Sequence, residues 1–128
     1  MAELSHIKLT VTNYVKSRKF YDLLFKKLGW KIFLSKEETT GYSSKVCSFW
    51  IQEGENTKTK FSRENVGLDH IAFRAKNKEE VDEFAAWLKL NKILIIHEPK
   101  FYPEYADNYY AVFFLDPDGI ILELTTHD

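Results

Sequence analysis

Two histidines sixty-four residues apart stand in the same local sequence. Leu4-Ser5-His6-Ile7-Lys8-Leu9 lies over Leu68-Asp69-His70-Ile71-Ala72-Phe73, and the match continues without a gap, with Asn13 falling on Asn77, Phe20 on Phe84 and Leu24 on Leu88. A register shared across a strand, a turn and a helix means two copies of one supersecondary unit. Whatever the chain folds into must be built from that unit twice.

The unit can be read residue by residue. Ile7, Leu9 and Val11 alternate with His6, Lys8 and Thr10, the period of two that marks a strand with one buried face. Phe20, Tyr21, Leu24, Phe25 and Leu28 then recur at helical spacing, and Gly29 stands where a helix should stop. In the second copy Asn77 precedes Glu80 by three residues, an N-cap with a capping-box-like partner, and Val81, Phe84, Ala85 and Leu88 form the buried stripe. Short β-rich runs follow each helix: 30–35, 41–44 and 46–52 in the first half, 93–97, 109–115 and 120–125 in the second. The turn Asp116-Pro117-Asp118-Gly119 separates the last two, Pro fixing φ and Gly accepting a positive one. The middle strand of the second half carries the weakest signal. The order is βαβββ twice, an α+β chain with a module at about 3–60 and another at about 66–126 in a single domain. With one helix per four strands, each sheet covers only one face, and the other must line something.

Bulk properties narrow what that something is. A chain of 128 residues with 45% hydrophobic and 16% aromatic content buries a full core. Its 18 basic and 19 acidic residues nearly balance, and no stretch gathers a basic stripe able to track phosphates, which argues against nucleic acid. No apolar run approaches the roughly 20 residues that cross a bilayer. The lone Cys47 has no partner for an internal disulfide and reads as a small buried residue, and Met1-Ala2-Glu3 opens no signal peptide, so a cytoplasmic protein is expected.

Strand parity then selects the residues of the uncovered faces, because residues of one parity share a face. It leaves His6, Lys8 and Thr10 opposite the helix in the first copy, and His70, Ala72 and Arg74 in the second. On the last strand Ile120, Leu122 and Leu124 are the apolar set, leaving Ile121, Glu123 and Thr125. Two imidazoles and a carboxylate are good donors for a divalent zinc, nickel, cobalt, iron or manganese ion, and three protein ligands keep coordination positions open for substrate or water. A single His at a strand start is more often a hydrogen-bonded residue. The equivalent repeat positions of the two histidines and the common face of all three residues favour a shared site.

The segments Leu4-Ser5-His6-Ile7, 67–73 and 113–124 resemble the vicinal-oxygen-chelate superfamily of glyoxalases, bleomycin-resistance proteins and extradiol dioxygenases, and the likeness covers essentially the whole chain. It implies paired βαβββ modules forming a curved mixed-sheet cup around one divalent metal, with His6, His70 and Glu123 as ligands and Glu123 as a candidate base. Glyoxalase I-like members take a fourth ligand, commonly Glu, from the last strand of the first module. That slot falls near Gln52, with Ser48 and Trp50 on the same strand face, and no carboxylate occupies it. Gln52 is a further candidate metal donor through its amide oxygen, although a surface position suits a neutral residue on a strand that ends in Glu53-Gly54-Glu55 better. A three-ligand site is closer to fosfomycin-resistance thiol transferases or extradiol dioxygenases, while a lactoylglutathione-lyase-like lyase or isomerase remains the leading expectation. The rival of another class is a non-catalytic, bleomycin-resistance-like cup that sequesters its ligand.

The aromatic stretch 101–110 is expected to wall the cup. Tyr102, Tyr105 and Tyr110, with Trp50 and Arg74, are the candidate contacts to a small-molecule substrate. His97 and His127 have no positional support and are expected at the surface. Members of this size usually pair as homodimers, and open sheet edges offer a route to that.

Overall fold

Asn13 and Asn77, equivalent in the repeat, each start a helix. In the computed structural model, which describes residues 1–127, the Asn13 side chain accepts from the Lys16 amide at 3.0 Å and the Asn77 side chain from the Glu80 amide at 2.9 Å. Each satisfies one of the orphan donors of a first helical turn. Helix α1 runs Tyr14–Leu28 and α2 runs Lys78–Leu90. Gly29 closes α1 with φ +83°, the left-handed conformation that glycine adopts without a Cβ penalty.

The remaining elements complete two βαβββ units: β1 (His6–Val11), β2 (Lys31–Lys36), β3 (Thr39–Ser43) and β4 (Ser48–Glu53) with α1, then β5 (His70–Arg74), β6 (Ile95–Phe101), β7 (Tyr110–Leu115) and β8 (Ile121–Thr126) with α2. The chain divides at Lys60 and Phe61 into two units, each holding one copy of the repeat.

In the first unit the strand order is β1-β4-β3-β2, with β1 parallel to β4 and the rest antiparallel. The second repeats this as β5-β8-β7-β6, with β5 parallel to β8. The helix-facing parity is the apolar one in both. Tyr21, Leu24 and Phe25 of α1 are buried, and Phe25 packs on Tyr42 of β3 and Phe49 of β4 with ring centroids 4.6 and 5.0 Å apart. Val81, Phe84, Ala85 and Leu88 of α2 are buried likewise, Phe84 meeting Phe114 of β7 edge to face at 5.3 Å. Burial of such side chains contributes roughly 1.5–3 kcal/mol each before entropy is counted, so these layers hold each sheet to its helix.

A phenol ties the third strand of each unit to its helix. Tyr42 donates to Asp22 of α1 at 2.7 Å, and Tyr110 donates to Asp82 of α2 at 2.6 Å. A cation one helical turn earlier braces each acid, Arg18 at 2.9 Å and Lys78 at 3.2 Å.

Two expectations change. The strand expected at 93–97 occupies Ile95–Phe101. It is an edge strand with irregular register between Ile95 and His97 and between His97 and Lys100, which tolerates Pro99 and blurs the period-two pattern. Cys47 is half-buried rather than buried, at the turn leading into β4.

Candidate functional site

The helix-free face of the second unit gathers the chemistry. His70 opens β5 and Glu123 sits in the middle of β8, and the parallel ladder pairs them two residues out of step: His70 with Ile121, Ala72 with Glu123. Both side chains leave the same face, and His70 Nε2 lies 3.2 Å from Glu123 Oε1. The far side of each group is already engaged. His70 Nδ1 meets Asp69 Oδ1 at 2.7 Å, and the Tyr109 hydroxyl donates to Glu123 Oε2. The imidazole is thereby turned so that Nε2 faces inward, with Nδ1 fixed by a carboxylate.

Electrostatics follow the contacts. The hydrogen bond from His70, helped by Arg63 at 3.3 Å, holds Asp69 below the usual carboxylate range. Burial, then the hydrogen bond to Glu123, keeps the Tyr109 phenol above its ordinary range and therefore protonated as a donor. Glu123 is only 1% exposed. A carboxylate so deeply placed needs hydrogen-bond donors or a cation, since burial of an unpaired charge is costly.

His70 and Glu123 lie in the wall of a cavity of about 300 Å³, whose other walls are mainly aromatic and aliphatic: Tyr102, Tyr105, Tyr109, Phe113, Ile96 and Ile121. That size is at the lower end for pockets that take small molecules. Arg63, Asp69 and His97 add polar edges.

The candidate contacts fall differently. Tyr102 and Tyr105 line the cavity, Tyr102 buried and Tyr105 exposed at its rim. Tyr110 does not: it is buried toward α2, where it holds Asp82. Its neighbour Tyr109 takes the inward place, because alternation sends consecutive residues to opposite faces. Arg74 shares the parity of His70 but reaches His127, Nη2 to Nε2 at 2.7 Å, and is not among the cavity walls. His127 stacks on Tyr109 with rings 5.6 Å apart and nearly parallel, so it braces the phenol that holds Glu123. His97 is exposed, as expected, and lies edge-on to Phe113 at the cavity's edge, whereas His127, also expected at the surface, is half-buried against Tyr109.

The first unit presents an analogous but different face. His6 Nδ1 lies 3.1 Å from Ser5 Oγ, so the residue before each histidine engages its Nδ1. The ladder pairs His6 with Ser48 and Lys8 with Trp50, as it pairs His70 with Ile121 and Ala72 with Glu123. Trp50 therefore fills the slot that Glu123 fills in the second unit, with its ring 6.5 Å from that of His6. Gln52, two ladder pairs further along and on the same face, is matched with Thr10 and is exposed.

The donor set of the second unit fits a divalent metal as far as it goes: an imidazole nitrogen and a carboxylate oxygen converge on one point with their outer atoms held. Among the described residues, no group of three or more His, Cys, Asp and Glu stands arranged to hold a metal ion. A metal at this pair takes further donors from water, substrate or another part of the chain.

The profile of the Glyoxalase/Bleomycin resistance protein/Dioxygenase superfamily matches residues 3–124. The chain belongs to this superfamily. A relative in Bacillus subtilis strain 168, the uncharacterized protein YqjT, is 32% identical over 125 residues, covering 94% of this chain and 96% of that protein. A protein from Bacillus halodurans, provisionally described as a glyoxalase, superposes with a TM-score of 0.84 at 28% identity, covering 96% of this chain and 94% of its own. The lactoylglutathione lyase of Agrobacterium tumefaciens superposes with a TM-score of 0.73 at 18% identity, over 98% of this chain and 94% of its own. That last likeness shows the fold alone. Superfamily members bind small molecules, typically use a divalent metal and often form dimers. Among the described residues, no helix is long and apolar enough to cross a membrane.

Proposed function

We propose that the protein is a metal-dependent enzyme acting on a small molecule with two neighbouring oxygens, and that His6, His70 and Glu123 supply the metal donors. The observation that carries this reading is the convergence of His70 Nε2 and Glu123 Oε1 in the wall of an aromatic cavity, with Asp69 and Tyr109 holding their outer atoms. His6 enters as the third donor because it is the repeat equivalent of His70 and has its Nδ1 engaged in the same way.

A divalent ion bound there supplies a Lewis acid that offsets negative charge as it develops on substrate oxygen. The residues of the chain do the rest. Tyr109 ties Oε2 of Glu123, so Oε1, the carboxylate oxygen turned toward His70 Nε2, is the one placed to accept a substrate proton. Tyr105, Phe113 and Ile96 exclude water from one side of the bound molecule. With Trp50 in place of a fourth carboxylate, the donor set is two histidines and one glutamate. Proton-transfer chemistry of the lyase or isomerase type suits a carboxylate poised in this way, and dioxygenase or thiol-transferase chemistry shares the three-donor set. The exposed apolar residues Ile32 and Phe33 on edge strand β2 support a homodimer, which light scattering tests.

Elemental analysis of protein purified without chelator or histidine tag, beside His70→Ala, decides the central claim. Near-stoichiometric metal that is lost in the variant supports it, and the identity of the metal sorts the reaction: nickel, cobalt or zinc toward isomerisation, iron toward oxygenation, manganese toward thiol transfer. No metal in either protein after reconstitution with several divalent ions overturns the enzyme reading in favour of a ligand-sequestering protein.

A further inference from the structure

The hydroxyl of Tyr102 is out of place for an ordinary core residue. Tyr102 is 6% exposed, it lines the cavity that holds His70 and Glu123, and its hydroxyl oxygen is buried without a hydrogen-bond partner among the described residues. Ser17 and Thr126 also bury unpartnered hydroxyls, but neither lines the cavity. Leaving a buried donor unmade costs about 1–3 kcal/mol, so a phenylalanine would serve the packing better if packing were the only role. Tyr102 and Glu123 line the same cavity, and burial first, then the charges of Tyr105, Glu123 and Glu104, keep the phenol above its ordinary range and so protonated as a donor.

The walls around it are suited to a flat ring. Tyr105 stacks on Tyr102 at 5.4 Å with 12° between planes, while Tyr109 meets Tyr105 at 77° and Phe113 meets Tyr102 at 74°. Faces and edges are thus presented at near right angles. That arrangement lets an inserted aromatic ring stack on one wall and meet the next edge-on, the two geometries aromatic pairs favour. A saturated ring of similar volume gains neither.

We propose that this cavity takes a planar aromatic molecule carrying an oxygen acceptor, and that Tyr102 donates its hydroxyl to that oxygen. The inference deepens the proposed function by naming the class of its substrate, and it rests on that reading for the reaction but not for the binding. The oxygen held by Tyr102 orients the molecule so that its remaining polar groups meet His70 and Glu123.

The test uses the full chain freed of metal by chelation, with benzamide as the aromatic probe and cyclohexanecarboxamide as its saturated counterpart. Neither is a bidentate oxygen chelator, so the outcome is independent of whether the metal site is real; elemental analysis decides that separately. In amide-resolved NMR titrations benzamide is expected to shift resonances across 96–113 and to bind about fivefold more tightly than cyclohexanecarboxamide. Tyr102→Phe keeps the ring, weakens benzamide about fivefold, and raises the melting temperature by about 2–5 °C because an unsatisfied donor is gone. Absence of benzamide binding, equal affinity for the two amides, or unchanged affinity in Tyr102→Phe overturns the proposal. A lower melting temperature in that variant also overturns it, by showing that the hydroxyl is already satisfied, as by an ordered water.

Discussion

His70 Nε2 and Glu123 Oε1 lie 3.2 Å apart although neither residue is the other's partner in the β5–β8 ladder. The approach depends on how the imidazole is turned, and Asp69 sets that through Nδ1 at 2.7 Å. A carboxylate behind a ligating histidine typically matters by about 10–100-fold in metal affinity. Asp69→Ala is therefore expected to weaken metal binding by that factor in competition with a chromogenic chelator. Ser5→Ala behind His6 is expected to lose less, because a neutral oxygen polarises the ring less. Equal affinity in Asp69→Ala and the parent would remove Asp69 from the site.

Tyr109 holds the other oxygen of the same carboxylate, and Glu123 is almost fully buried. Tyr109→Phe takes a donor from a buried charge, which costs about 1–3 kcal/mol. The loss should appear in urea denaturation of the metal-free protein and shrink when a binding divalent ion is added, since a cation replaces the missing donor. A loss that is the same with and without metal would show that Tyr109 acts through packing alone.

The faces of β1, β5 and β8 were legible because a strand buried on one side writes its parity into the sequence: Ile7, Leu9 and Val11 against His6, and Ile71 and Phe73 against His70. The helices were legible from Asn13, Gly29 and Asn77, residues whose backbone roles are local. Strand β6 was not, because Pro99 and two register irregularities break the alternation on an edge. Parity also places Tyr109 and Tyr110 on opposite faces without saying which is inward. The hairpin decides it: Phe113 pairs with Glu123, so Tyr109 and not Tyr110 shares the glutamate's face. Counting back from the Asp116–Gly119 turn could have shown this from sequence. Which residue of β4 is the repeat equivalent of Glu123 was not legible either: the ladder makes it Trp50, and the parallel register of β1 and β4 is set by tertiary pairing that no local signal fixes.

Tyr110, placed against α2, makes a different prediction. Its hydrogen bond is the largest influence holding Asp82 below the ordinary carboxylate value of 3.8, with Lys78 adding to it. A depressed folded-state pKa contributes stability that is present above the unfolded value and lost as pH falls through the folded one. Tyr110→Phe should therefore be less stable than the parent near neutral pH, with the gap narrowing as pH falls below about 4. The Asp82 side chain is 45% exposed, so solvent screening limits the pH-dependent part to under about 1 kcal/mol. Urea midpoints at pH 7 and in acid measure it, and a gap that does not change with pH would assign the bond a purely neutral role.

The two N-caps share a position in the repeat but not an electrostatic setting. The first turn of α2 carries Glu79 and Glu80, which already complement the positive end of the helix dipole, while the first turn of α1 carries no acid of its own and takes a single one from β4, Glu53, whose Oε1 accepts from the Tyr14 amide at 2.9 Å. An aspartate can accept the same backbone hydrogen bond as the asparagine it replaces and adds a negative charge at the N-terminus. Asn13→Asp, which meets one carboxylate there, is thus expected to stabilise the protein by about 0.3 kcal/mol at low ionic strength, with the gain fading in salt. Asn77→Asp is expected to give little or nothing, because the new charge meets two existing ones across a single turn. Thermal melts of both variants at low and high salt check the pair, and equal gains at the two sites would show that the caps act through hydrogen bonding without regard to the charges around them.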